Sequence, residues 1–131
     1  NVGICSGAAP VRTMLQEGVQ VALGSDIAGG TQLFMPQVAA ASIRASKVRC
    51  MQDGSPFLTA AEAYYMATSA GQRYFGAGEG FQVGQKFHAV VISDRSFSAD
   101  DSRTLPERLE RVLYRATPQD VRSVFAEGCM I

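Results

Sequence analysis

Apolar residues recur along this chain with two different periods, and the changes of period mark its elements. Pro10 suits the first turn of a short helix whose apolar side is Val11, Met14 and Leu15, and Gly18 is placed to stop it. Val19, Val21 and Leu23 then fall on every second position, so VQVAL (19–23) reads as a short strand, ending abruptly in the turn GSDIAGG (24–30). From about Leu33 to Cys50 the pattern becomes helical. Phe34, Val38, Ala41, Ala45 and Val48 stand at alternating spacings of four and three, which predicts one buried stripe. Pro36 puts the start of this helix close to itself. Arg44, Lys47 and Arg49 crowd its predicted last turns, where cations favour the negative end of the helix dipole.

Thr59 and Glu62 have the spacing of a capping box, with Leu58 and Ala63 placed as a hydrophobic staple. The helix they open carries a face of mostly small residues, Ala60, Ala63, Tyr64, Ala67 and Ala70; Gly71 begins to loosen it and GAGEG (76–80) ends it. Beyond that point FQVG (81–84) and FHAVVIS (87–93) read as two strands around a turn at Gly84, Gln85 and Lys86. A polar stretch, SFSADDS (96–102), follows. Thr104 and Glu107 form a second capping-box pair, before a helix with Leu105, Leu109, Val112 and Leu113 on its apolar side and Pro118 preventing its continuation. The end, VRSVFAEGCMI (121–131), predicts a strand, a turn at Glu127-Gly128 and a strand stub. Two textures result: a strand and helices over 1–79, then a small mixed unit with short strands over 80–131.

Composition narrows the class. A chain of 131 residues with 47% hydrophobic and 18% charged residues can bury a core and is not disordered. Twelve basic residues balance twelve acidic ones, which removes the attraction that drives nonspecific binding to nucleic acid or an anionic membrane. No run of eighteen apolar residues is present. The chain opens at Asn1 with no basic region before an apolar stretch, which does not resemble a signal peptide and reads as a chain cut from something longer. Cys5, Cys50 and Cys129 are odd in number and far apart, so a disulfide framework or a structural zinc knuckle is not expected. A reducing cytoplasm is, with Cys50 and Cys129 as small apolar packing residues.

Asp26 is the position with the most chemistry in it. It directly follows the predicted strand and precedes a glycine-rich turn, and in parallel α/β proteins functional groups gather at the carboxyl ends of strands. A carboxylate there can hold a metal or take a proton from metal-bound water. Asp is also a favoured turn and N-cap residue, and the local pattern leaves that reading open. GSDIAGG lacks the spacing and the lysine of a phosphate cradle, and its glycines fit tight backbone turns. There is no Gly-x-Ser-x-Gly elbow. His88, the single histidine, lies inside a predicted strand, where a structural or solvent-facing role is the ordinary one. Asp100 and Asp101 read as a solvated loop, and Glu107 and Arg111 have favourable i,i+4 spacing on a solvated helix face.

Taken in order, these blocks resemble the C-terminal third of the amidohydrolase superfamily. NVGICSG (1–7) resembles the segment after the seventh barrel strand, and VQVALGSDIAGG (19–30) the eighth strand with its aspartate. LTAAEAYYMATSAGQRYFG (58–76) followed by GFQVGQKFHAVVIS (80–93) resembles the last barrel helix and the return to a small β-domain. LPERLERVLYRATPQDVRSVFAEG (105–128) resembles the guanine deaminases in particular. The resemblance implies an α/β fold: the C-terminal fragment of a TIM-type (β/α)8 barrel over 1–79, and part of a small β-sandwich domain over 80–131. It implies hydrolytic deamination of guanine to xanthine and ammonia, a catalytic zinc held by histidines and an aspartate, and a homodimer acting on a small-molecule purine. Asp26 matches the family aspartate that ligates or flanks the zinc and shuttles the water proton, which turns the reading of Asp26 from cap to catalysis. The histidine ligands are missing from this chain, so the fragment alone is expected to be inactive. His88 stands where the family usually has an aspartate, remote from the metal. A hydrolase for a neighbouring substrate (a triazine, an adenosine derivative or cytosine) and a noncatalytic oligomerisation or interaction domain are the alternatives.

Overall fold

The computed structural model describes residues 2–78, 80–97 and 102–131. Its helices are α1 (Val11–Gln16), α2 (Met35–Asp53), α3 (Ala60–Ala67), α4 (Ser69–Tyr74) and α5 (Leu105–Arg115). Its strands are β1 (Ala89–Ile92), β2 (Val121–Ala126) and β3 (Cys129–Met130), with 3-10 turns at Val2–Ile4 and Pro118–Asp120. Asp100 and Asp101 lie outside the described residues. No helix among those described is long and apolar enough to cross a membrane.

The core is a helical layer. Ala39 and Ile43 from α2, Ala63 and Met66 from α3, Leu58 just before α3, and Leu113 from α5 form one buried cluster, edged by Val11 and Leu15 of α1. The stripe predicted for α2 is not the buried one: Ala39, Ala40 and Ile43 are inside, whereas Ala41 and Val48 face outward. α2 meets both α3 and α5, and the buried alanines Ala39 and Ala40 allow the close approach that two neighbours require. The helix also runs a turn beyond Cys50, so its cations stand upstream of the last turn. They meet side chains instead of the helix end: Arg44 lies 5.4 Å from the Tyr114 ring centre, Lys47 5.2 Å from that of Phe57, and Arg49 bridges Asp53 at 3.0 Å. Gly54, at φ 74°, ends α2 in a left-handed cap that glycine adopts without a steric penalty.

The capping box of α3 forms as its sequence predicts. Glu62 N–H donates to Thr59 Oγ1 at 3.2 Å, and Thr59 N–H to Glu62 Oε2 at 2.8 Å. Leu58 and Ala63, the predicted staple, are both buried. Met66 takes the core position predicted for Tyr64, which is exposed. The helix breaks at Thr68 (φ −131°, ψ −91°), earlier than Gly71, which sits within α4. Thr68 Oγ1 donates to the Tyr64 carbonyl four residues back at 2.7 Å, a bond that competes with helical geometry.

VQVAL is extended but not a strand. No ladder partner is present among the described residues; Leu23 N–H donates to the Met66 carbonyl at 2.8 Å. The two-residue period survives in the burial only from Val21 on, with Val21 and Leu23 packed on the core and Ala22 and Gly24 exposed, whereas Val19 is exposed. FQVG likewise forms no strand. Its turn closes, with Gln85 N–H donating to the Gln82 carbonyl at 3.2 Å, but β1 takes β2 as its neighbour.

β1, β2 and β3 form an antiparallel sheet in that order, with Ala89 opposite Phe125, Val90 opposite Val124 and a register shift between Val91 and Ile92. The predicted Glu127-Gly128 turn links β2 to β3, both residues having positive φ (52° and 85°), as a type I′ hairpin requires. Phe87 packs against Phe125 and Phe81, with ring centres 5.3 and 5.7 Å away. Cys129 is exposed on β3 and so is not a packing residue; Cys50 is half-buried, and all three cysteines are free. In α5, Leu113 is buried and Leu109 and Val112 half-buried, but Leu105 at the first helical position points into solvent. Glu107 turns back to accept from Thr104 N–H at 2.8 Å, while Arg111 donates to the Phe97 carbonyl at 2.5 Å.

Candidate active site

Asp26 stands at the end of the extended segment, exposed, in a left-handed conformation at φ 49°. Aspartate is among the few residues other than glycine that enter this region readily. The turn after it closes through the backbone, Gly30 N–H donating to the Asp26 carbonyl. The two following glycines differ in what an added side chain would meet. A Cβ on Gly29 would lie 2.9 Å from Asp26 Oδ2 and 3.4 Å from its Cγ, and one on Gly30 would penetrate the Ser25 carbonyl oxygen. The 3-10 turn Val2–Ile4 is also close: a Cβ on Gly3 would sit 3.5 Å from the Gly29 carbonyl oxygen.

Two long-range contacts hold this half of the chain together, and the first of them lies next to the turn. The first is the Leu23 to Met66 hydrogen bond. In an unbroken helix the Met66 carbonyl would accept from Ala70 N–H; the break at Thr68 frees it for Leu23, three residues before Asp26. The second is the pair Arg12–Glu62, which ties α1 to the start of α3. Arg12 Nη1 meets Glu62 Oε1 at 2.7 Å and Nη2 meets Oε2 at 2.9 Å, a two-pronged, charge-assisted contact. Arg12 Nη2 also donates to the Phe57 carbonyl at 2.9 Å. The Arg12 hydrogen bond is the main reason the Glu62 carboxyl is held down to about 2, burial opposing it. Neither contact could be read from one segment, because each joins positions about forty to fifty residues apart.

Of the remaining perturbed carboxylates, Asp53 is lowered chiefly by its hydrogen bonds with Ser55 at the end of α2, and the others belong to the second half of the chain. Asp120 accepts from Ser96 Oγ at 2.6 Å and from Thr117 N–H at 2.8 Å, and these bonds lower its pKa, the Ser96 hydroxyl most. Asp94 is lowered by Arg108, whose Nε is 2.8 Å from Oδ2. His88 is half-buried immediately before β1. Among the described residues, no group of three or more His, Cys, Asp and Glu comes together as a metal site. A recess of about 470 Å³ is lined by residues that include Leu15, Val21, Leu23, Tyr65, Tyr74 and Phe75, and Asp26 is not among them.

The chain is 29% identical to guanine deaminase of Dictyostelium discoideum over 98% of its own length and 30% of that protein's. It is 30% identical to the 5-methylthioadenosine/S-adenosylhomocysteine deaminase of Halobacterium salinarum, over 98% of this chain and 29% of that one. It superimposes with a TM-score of 0.90 on the crystal structure of guanine deaminase from C. acetobutylicum with guanine bound in the active site, at 37% identity over 98% of this chain and 31% of that one. The chain thus spans about three tenths of the length of the relatives it matches. The amidohydrolase family model matches residues 1–130, and this chain belongs to the amidohydrolase family.

Proposed function

We propose that this chain is part of an enzyme that hydrolyses guanine to xanthine and ammonia, with Asp26 as its proton carrier. The observation that carries this reading is the 37% identity, at a TM-score of 0.90, to a guanine deaminase holding guanine. In the reaction the oxygen of water bonds to the ring carbon bearing the amino group, and the bond to that nitrogen breaks. Asp26 takes a proton from the water and passes it to the departing nitrogen, which leaves as ammonia. An exposed carboxylate, held in a left-handed turn and tied through Leu23 to α3, suits that shuttle. In the same reading, 1–79 forms the end of a (β/α)8 barrel and 80–131 part of a small β-sandwich domain, and the whole enzyme is a homodimer.

Zinc is the cofactor that the family resemblance implies, and a zinc site takes three or four protein ligands. Asp26 alone does not make one, and the steps assigned to it are proton transfers only. In the full-length protein, Asp26→Asn should lower ammonia release from guanine about 10²–10⁴-fold with unchanged thermal unfolding. Retained turnover would refute the assignment. A second reading, deamination of 5-methylthioadenosine, is favoured by the 30% identity to the Halobacterium protein. Ammonia release compared between the two substrates decides between them.

A further inference from the structure

We propose that Gly29 is a positioning residue whose missing side chain sets the orientation of the Asp26 carboxylate. The inference rests on the reading of Asp26 as proton carrier. Glycines 29 and 30 are adjacent, yet they are required for different reasons. Neither has positive φ, so neither is glycine for the sake of backbone freedom. At Gly30 an added methyl would strike the Ser25 carbonyl, and because that atom is backbone the whole turn must move. At Gly29 the one atom that is too close belongs to the Asp26 side chain, Oδ2 at 2.9 Å; Asp26 Cγ and the Asp26 carbonyl oxygen both stand at 3.4 Å, an ordinary van der Waals distance. A carboxylate can rotate away about its side-chain bonds at small cost. The turn has less freedom, since Gly30 N–H closes it onto the Asp26 carbonyl. A methyl at Gly29 therefore displaces the carboxylate and leaves the fold, whereas a methyl at Gly30 displaces the fold.

The test uses the full-length protein in four forms: parent, Gly29→Ala, Gly30→Ala and Asp26→Asn. Gly29→Ala should unfold at the parent temperature, lose about 10–100-fold in kcat on guanine, and keep KM within about twofold, as expected when a reacting group is misplaced by about an ångström. Its crystal structure should show the Asp26 carboxylate rotated off Gly29 with the turn backbone unmoved. Gly30→Ala should unfold at lower temperature. A Gly29→Ala carboxylate that stays in place, a parental kcat, or a loss of stability like that of Gly30→Ala would each overturn the inference. Asp26→Asn separates it from the reading beneath it. Retained turnover in that variant removes the proton carrier, while the crystal structure of Gly29→Ala still decides whether Gly29 sets the carboxylate.

Discussion

Glu62 carries more than its place in a helix start suggests, and removing its charge measures how firmly α1 is held. The side chain accepts from both Arg12 nitrogens and from Thr59 N–H, and its pKa falls from 4.5 to about 2. A shift of that size corresponds to roughly 3 kcal/mol of differential stability. The side chains of Arg12 and Glu62 are 22% and 34% exposed, so solvent screening reduces this to about 1–2 kcal/mol. Glu62→Gln should therefore lower the unfolding free energy by about 1–2 kcal/mol at neutral pH. Because the folded pKa lies below the unfolded one, this stabilisation is present above the ordinary carboxylate range and lost as pH falls from 4.5 toward 2. The gap between parent and Glu62→Gln in urea unfolding should shrink as pH is lowered through that window, and Arg12→Met should show the same convergence. A gap that does not change with pH, or a double-mutant cycle with no coupling between the two positions, would refute the electrostatic account.

Two further substitutions test the packing. Leu113, from α5, is 2% exposed in the cluster built otherwise by α2, α3 and Leu58, and Leu113→Ala should cost about 2–5 kcal/mol in urea unfolding. A loss below about 1 kcal/mol would mean that α5 is not part of this core. Gly54 ends α2 at φ 74°, so Gly54→Ala should cost about 1 kcal/mol and lower the melting temperature; an unchanged melting temperature would place the end of α2 elsewhere.

What could be read from the sequence is what neighbours in sequence determine. Thr59 with Glu62, Thr104 with Glu107, and Glu127-Gly128 each form their local structure because all partners lie within four residues. Long-range competition decided the rest. VQVAL and FQVG have the composition of strands, but a strand exists only in a ladder, and neither has a partner among the described residues. The stripe predicted along α2 is not the side that faces in, because two neighbours, α3 and α5, choose the face. At the site, Asp26 was legible as a carboxylate before a glycine-rich turn. The distinct demands at Gly29 and Gly30 were not, because they depend on which atom each missing side chain would meet.

The interruption at Thr68 has a consequence for how this chain tolerates change. A substitution that mended the helix from α3 into α4 would improve local hydrogen bonding and reclaim the Met66 carbonyl for Ala70. It would thereby set Ala70 N–H in competition with Leu23 N–H for that oxygen, and loosen the anchorage of Asp26. At this point the better helix and the better-held carboxylate compete for one oxygen, and the chain keeps a flaw in the one as the mount for the other.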